Sequence, residues 1–323
     1  MTRRIATHSG PHHADDAFGV AVLAALFPDH ELIRTRDPDE IARADFAVDV
    51  GGEWDPARGR FDHHQRDFDG ARERADADGR HLRAEGYASA GLVWRDYGSA
   101  YVQRVAQGIG HALDEAAAAQ IAADVDSSLV RYLDMVDNGE AQVAPGVFGL
   151  SDLLSLLNTD WMEEQGLDGA ARAALQMQRF REATALVRRF LDPLVRRRIG
   201  QGLAAGKVRA GQRLLQGRVL VLAEGGMPWT RVVVEEMPEV LLVLYPDGEA
   251  DRWQLRTVPR RLGAFETRMD LPEAWAGLRD AELAAASGVP DAAFCHRKRF
   301  IAVARSYPGA LRLAELALAE ASS

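Results

Sequence analysis

Within its first fifty residues the chain alternates strand and helix without a break in rhythm. Arg4–Thr7, Glu31–Thr35 and Phe46–Val50 read as strands, and Asp15–Phe27 and Pro38–Arg43 between them carry helical patterns. Phe18, Val22, Ala25 and Leu26 fall at helical spacing, and Pro28 stops the run. Pro38 sits in the first turn of the second helix, where its missing N–H costs nothing. Strands so close together, joined by helices, pair side by side as a parallel α/β sheet. In such a sheet the loops at the carboxyl ends of the strands form the functional edge.

The pattern then changes. Arg66–Glu85 is charged, contains glycine and has almost no apolar residues, so an exposed loop is expected there. Ala88–Tyr97 and Asp114–Val136 have helical periodicity, the second ending at Asn138-Gly139. Asp168–Ala205 is a long helical pattern that Pro193 is expected to kink or break. Arg218–Ala223, Val240–Tyr245, Trp253–Val258 and Arg299–Ala304 read as strands, with a closing helix over Pro308–Ala319. A length of 323 residues suits two domains, with the boundary near Ala205–Gly211.

A single cysteine, Cys295, excludes a disulfide framework and suits a reducing compartment. The start runs straight into a strand with no leader-like apolar run, so a cytoplasmic location is expected, with no membrane span. A net charge of −9 argues against binding long duplex nucleic acid over the whole surface. It does suit a carboxylate-rich site that takes up divalent cations.

Five of the nine histidines lie in two short groups, His8, His12 and His13, then His63 and His64. Aspartates accompany them: Asp15 and Asp16 in the first group, Asp62 in the second. Asp49 ends the third strand before Gly51-Gly52, and Asp137 ends a helix. Imidazole nitrogen with carboxylate oxygen suits manganese, zinc or iron. His8, His13, Asp15, Asp49, His63 and Asp137 are enough for a two-ion centre, and all but the last lie close to predicted strand ends. Any one of them alone reads as a surface or structural residue. His12 reads equally well facing away from the site. Cys295 and His296 are adjacent on a strand, so they point to opposite faces and make a poor nucleophile–base pair. No Gly-x-Ser-x-Gly, Walker-A or Gly-x-Gly-x-x-Gly pattern occurs in a suitable context.

Several of these runs carry a resemblance. They are Thr7–Ala17, Asp49–Pro56, Arg60–Gln65, Tyr87–Trp94, Met135–Gly139, Glu224–Trp229, Tyr245–Gly248 and Leu271–Leu278. Together they resemble the melanocyte-proliferating-gene-one exonuclease family of metal-dependent hydrolases, over nearly the whole chain. That family is similar to the DHH phosphoesterases, named for the run seen here as Asp62-His63-His64. The resemblance implies two manganese or magnesium ions, manganese being the expected one. His8 and His13 would hold one ion, Asp15, His63 and Asp137 the other, Asp49 would bridge, and His64 would face the phosphate. It also implies an α/β fold in two parts. Residues 1–205 would form a parallel-sheet, DHH-like catalytic domain with a helical connector. Residues 206–323 would form a smaller α/β domain for substrate. Two stretches depart from the family pattern: His12-His13 stands where Phe-His is usual, and Ala302–Leu311 replaces a Gly-Gly-x-x-Thr-x-Glu-Gly-Ala-Leu run.

The expected activity is that of a 3′–5′ exonuclease or oligonucleotide phosphodiesterase on single-stranded RNA or DNA. Hydrolysis of a dinucleotide or pyrophosphate is the alternative, and a catalytically silent metal-binding protein the third. The candidate catalytic residues are His64, Asp62 and Asp16. The candidate substrate-binding residues are Gly225, Gly226, Trp229 and His296, with Trp229 offering a face for a base or else buried in a turn. Arg188-Arg189 and Arg196-Arg197-Arg198 are expected either to follow a phosphate backbone or to form a solvated helix face. Homo-oligomerisation is left open.

Overall fold

The computed structural model describes residues 2–75, 82–140, 148–248 and 252–321. Its first strand, β1 (Arg3–Thr7), is followed by α1 (Ala14–Leu26), β2 (His30–Arg34), α2 (Pro38–Ala42) and β3 (Phe46–Val48), as the alternation predicts. β1 pairs in parallel with both β2 and β3. Two short strands extend the sheet, β4 (Trp54–Asp55) and β5 (Arg60–Phe61). β5 is parallel to β3, and β4 is antiparallel to β5, giving the order β2-β1-β3-β5-β4. Parallel β1, β3 and β5 therefore share one carboxyl edge. His8, Asp49 and Asp62-His63-His64 follow those strands directly.

The stretch Arg66–Glu85 corrects one expectation. Its latter part is an antiparallel hairpin, β6 (Ala71–Ala75) with β7 (Leu82–Gly86), not a loop; residues 76–81 lie outside the described residues. Arg72 explains it. Its side chain is buried, donating from Nε and Nη2 to Asp126 and lying 2.6 Å through Nη1 from Asp134. The guanidinium also lies over the Tyr87 ring, 4.2 Å from its centroid. What reads locally as a solvated charge run is in part a buried ion network.

Helices follow: α3 (Ser89–Gly108), α4 (Glu115–Val125) and α5 (Arg131–Asp137). A π-helical turn, Asp126–Val130, joins α4 to α5, so the predicted single helix is continuous but locally rewound. Next come α6 (Leu150–Ser155), α7 (Trp161–Glu164) and α8 (Gly169–Arg209). α8 runs through Pro193 without the expected break. Phe180, Ala183, Val187, Leu191, Val195 and Ile199 are all fully buried and form one stripe on either side of the proline. Each large member contributes about 1.5–3 kcal/mol, so together they outweigh the ~3 kcal/mol a mid-helix proline costs.

Two compact units result, Met1–Ile199 and Gly200–Ser323. The second holds β8 (Gln212–Leu214), β9 (Val219–Val221), α9 (Thr230–Glu236), β10 (Leu242–Pro246) and β11 (Trp253–Thr257). It continues with α10 (Asp280–Ser287), β12 (Ala292–Cys295), β13 (Ile301–Ala304) and α11 (Tyr307–Glu320). Its sheet runs β12-β13-β11-β10-β9-β8, with β9 and β10 parallel and the other pairs antiparallel. The fold is thus mixed α/β with a largely parallel first sheet. Among the described residues, no helix is long and apolar enough to cross a membrane.

Candidate metal centre

The shared strand edge gathers most of the predicted site. His8, His13 and Asp49 form one group whose ligand atoms lie within 4.8 Å of one another. Asp15, His63 and Asp137 form a second, and Asp49, His63 and His64 a third. Asp49 and His63 thus each belong to two groups. Nε2 of His8 lies 3.4 Å from Asp49 Oδ2, and Nε2 of His63 lies 3.5 Å from Asp49 Oδ1 and 3.3 Å from Asp137. Asp49 adopts φ +56°, a left-handed conformation in which few non-glycine residues sit without support. α1 brings Asp15, and the end of α5 brings Asp137.

Charge in this space is out of balance. Asp15, Asp16, Asp49 and Asp62 are all buried. Burial works against a charge on His8, yet Asp16 and Asp49 beside it hold its pKa up to about 10. Burial likewise opposes charge on His63, but Asp137 and Asp49 raise it to about 11. Burial pushes Asp15 well above the usual carboxylate range, and repulsion from Asp49 and Asp137 adds to it. For Asp49, burial is outweighed by His63 and His8, which hold it below that range. Without metal, protons on the two imidazoles supply the missing positive charge. The buried atoms His8 Nε2, His63 Nε2 and Asp16 Oδ2 still make no aligned hydrogen bond. Orphaned nitrogen and oxygen donors around excess negative charge fit a divalent cation.

Asp16 and Asp62, expected among the catalytic groups, are buried and hydrogen-bonded to their neighbours. Asp16 is fully buried; its Oδ1 accepts from the N–H groups of His13 and Ala17, and its Oδ2 lies 3.2 Å from His8 Nε2. Asp62 accepts from His64 Nδ1 at 2.8 Å, from the His64 N–H, and from the Gly52 N–H. His64 is different: its side chain is 63% exposed, and with Nδ1 bonded to Asp62 its Nε2 is left at the edge.

His12 faces away from the cluster. It is buried, with Nε2 3.1 Å from the Leu154 carbonyl oxygen and its ring edge-on to Phe180. Burial pushes its pKa down, and Nε2 is placed to donate to that carbonyl. His12→Phe should therefore keep full metal content and turnover. It should lose about 1–3 kcal/mol of stability for the unpaired carbonyl, read in a denaturant melt. Loss of metal would make His12 a ligand instead.

The start of α3, not singled out in the sequence for this role, organises the carboxylates. Oδ2 and Oδ1 of Asp15 accept from the N–H groups of Ser89 and Ala90, at 3.0 and 2.6 Å. The Ser89 hydroxyl donates to Asp49 Oδ1, and the Gly91 N–H donates to Asp134. A Cβ on Gly91 would lie 1.9 Å from Asp134 Oδ2. The available signal was a serine opening a predicted helix.

The candidate substrate residues lie in the second unit. Trp229 is buried, packed with Leu220, Leu222, Val233 and Met237, so its ring is not open to a base; the stacking expectation is corrected. Gly225 lacks a side chain for a steric reason, since a Cβ there would lie 2.1 Å from the Pro246 carbonyl oxygen. Gly226 follows in the same turn with φ +74°. His296 accepts from the Lys298 N–H through Nδ1 and packs on Phe300, within the turn between β12 and β13. Burial pushes the neighbouring Cys295 thiol up to about 11, which suits an inert core cysteine.

The MYG1_exonuc family model, described as an uncharacterised protein family (UPF0160), matches residues 4–318. The chain belongs to this family. Among its relatives, the MYG1 exonuclease of Homo sapiens is 32% identical over 336 residues, spanning 99% of this chain and 86% of that protein. The MYG1 exonuclease of Rattus norvegicus is 33% identical over 335 residues, spanning 98% and 85%. Among solved structures, RecJ in complex with Mg2+ from Thermus thermophilus matches at 17% identity and a TM-score of 0.30. That match covers 99% of this chain, which spans half of the RecJ chain, and is too distant to add to the fold described above.

Proposed function

We propose that the chain is a metal-dependent phosphoesterase, acting as a 3′–5′ exonuclease or oligonucleotide phosphodiesterase on single-stranded RNA or DNA. One observation carries this reading. The carboxylate of Asp49 belongs to the group with His8 and His13 and lies 3.5 Å from His63 of the group with Asp15 and Asp137, at a sheet edge that also presents an exposed histidine, His64. The names of the human and rat relatives support the nuclease class. In this reading His8, His13 and Asp49 hold one divalent cation, manganese or magnesium. Asp15, His63 and Asp137 hold a second, with Asp49 shared, as in DHH phosphoesterases. Bound there, such cations lower the pKa of water towards neutrality and draw charge from a phosphoryl oxygen.

The chain's own residues do the rest. Asp62 fixes the His64 ring through Nδ1, so Nε2 can hydrogen-bond a phosphoryl oxygen as charge builds on it. Asp16 holds the turn that carries His13 by accepting from its N–H, and the N–H groups opening α3 orient Asp15. A cavity of about 330 Å3 adjoins the cluster, with His13, Asp15, Asp137, Ser151, Asp152 and Ser155 among its lining. None of its described lining residues is lysine or arginine. The cavity's small volume favours, as a second reading, a short substrate such as a dinucleotide or pyrophosphate.

Product analysis separates the two. Labelled single-stranded RNA, single-stranded DNA, dinucleotides and pyrophosphate are each incubated with manganese, magnesium or EDTA. Stepwise release of mononucleotides from the 3′ end, abolished by EDTA and restored by manganese, is the expected result. Turnover of dinucleotide or pyrophosphate alone selects the second reading, and no hydrolysis with any metal sinks both.

A further inference from the structure

The Ser89 hydroxyl bears directly on the shared carboxylate. Ser89 is fully buried at the first position of α3. Its Oγ donates to Asp49 Oδ1 at 3.2 Å, while its own N–H donates to Asp15 Oδ2. One residue thus touches a carboxylate in the group with His8 and His13 and another in the group with His63 and Asp137.

The other close neighbours of Asp49 differ from Ser89 in kind. They are imidazole nitrogens: His8 Nε2 near Oδ2, and His63 Nε2 and His64 Nδ1 near Oδ1. Neither His8 Nε2 nor His63 Nε2 makes an aligned hydrogen bond to Asp49. His64 Nδ1 is already bonded to Asp62. The serine hydroxyl therefore holds the carboxylate plane through an aligned hydrogen bond that neither His8 nor His63 supplies. Asp49 needs such a hold, because its left-handed backbone does not by itself select one carboxylate rotation.

Resting on the metal reading above, we infer that Ser89 is a positioning residue for the shared ligand Asp49, setting which oxygen serves which metal group. Ser89→Ala deletes only Oγ and keeps the N–H to Asp15. Manganese binding by the full-length wild type and variant is followed by titration calorimetry, with melting of the metal-free proteins in parallel. Groups one layer behind a ligand alter metal affinity or activity by about 10–100-fold when removed. The expected result is manganese affinity weakened by about that factor, with metal-free melting nearly unchanged. On the wild type's best substrate at saturating manganese, kcat should fall while KM stays within about twofold, as when a transition-state interaction is lost. Wild-type affinity and wild-type kcat in the variant would overturn the inference and leave the metal centre standing. A metal-free melting temperature that collapses with binding would make Ser89 a packing residue, also overturning it. A wild type that binds no manganese removes the metal reading itself, and the inference with it.

Discussion

Asp49→Asn is expected to leave a folded protein with sharply reduced metal content and less than about a hundredth of wild-type turnover. Asparagine is the informative replacement because it tolerates the left-handed backbone nearly as well as aspartate, so the change tests charge rather than strain. Alanine would add a backbone cost of about 1–3 kcal/mol and confuse the two. Groups one layer behind a ligand cost about 10–100-fold when lost, and deleting a carboxylate shared by two ligand groups should exceed that range. Metal content by mass spectrometry and initial rates check it. Wild-type stoichiometry with wild-type rate would mean Asp49 is not the shared ligand.

The adjacent histidines should separate binding from turnover. His63→Ala removes a nitrogen that lies within 4.0 Å of Asp15, Asp49 and Asp137, so metal and activity should be lost together. His64→Ala removes a largely exposed ring held by Asp62, so metal should remain while turnover falls about 100–1,000-fold, the usual cost of one charge-stabilising donor. Equal metal loss in the two variants would make His64 a ligand, a role its place in a third ligand group permits.

The parts of the fold that were legible beforehand are those built from local periodicity. The first three strands and two helices needed only apolar spacing and two prolines, and their ends fall within a few residues of expectation. The grouping of His8, Asp49 and His63 followed from topology, because parallel strands align their carboxyl ends. The hairpin was not legible because the partners of Arg72, Asp126 and Asp134, lie 54 and 62 positions downstream in the sequence. Nothing in the immediate sequence around that arginine distinguishes it from a solvated one. Continuity through Pro193 was hidden for a similar reason: the penalty is local, and the stripe that outweighs it is tertiary. Asp16, Asp62 and Trp229 show a third kind of limit, since nothing in the sequence reveals that all three are buried. Their residue types suit the assigned chemistry, but burial and direction decide the role, and neither is written in spacing.

Gly91 carries a consequence for interpreting natural variation in this chain. It offers no functional group, and its backbone N–H reaches Asp134 rather than a ligand. Even the smallest side chain would overlap the Asp134 carboxylate, at the same oxygen that Arg72 approaches to 2.6 Å. An allele changing Gly91 would thus resemble an active-site lesion in any growth or activity screen while leaving every ligand intact. Intolerance at this position should be scored as geometry, and kept out of any catalogue of reacting groups drawn from such screens.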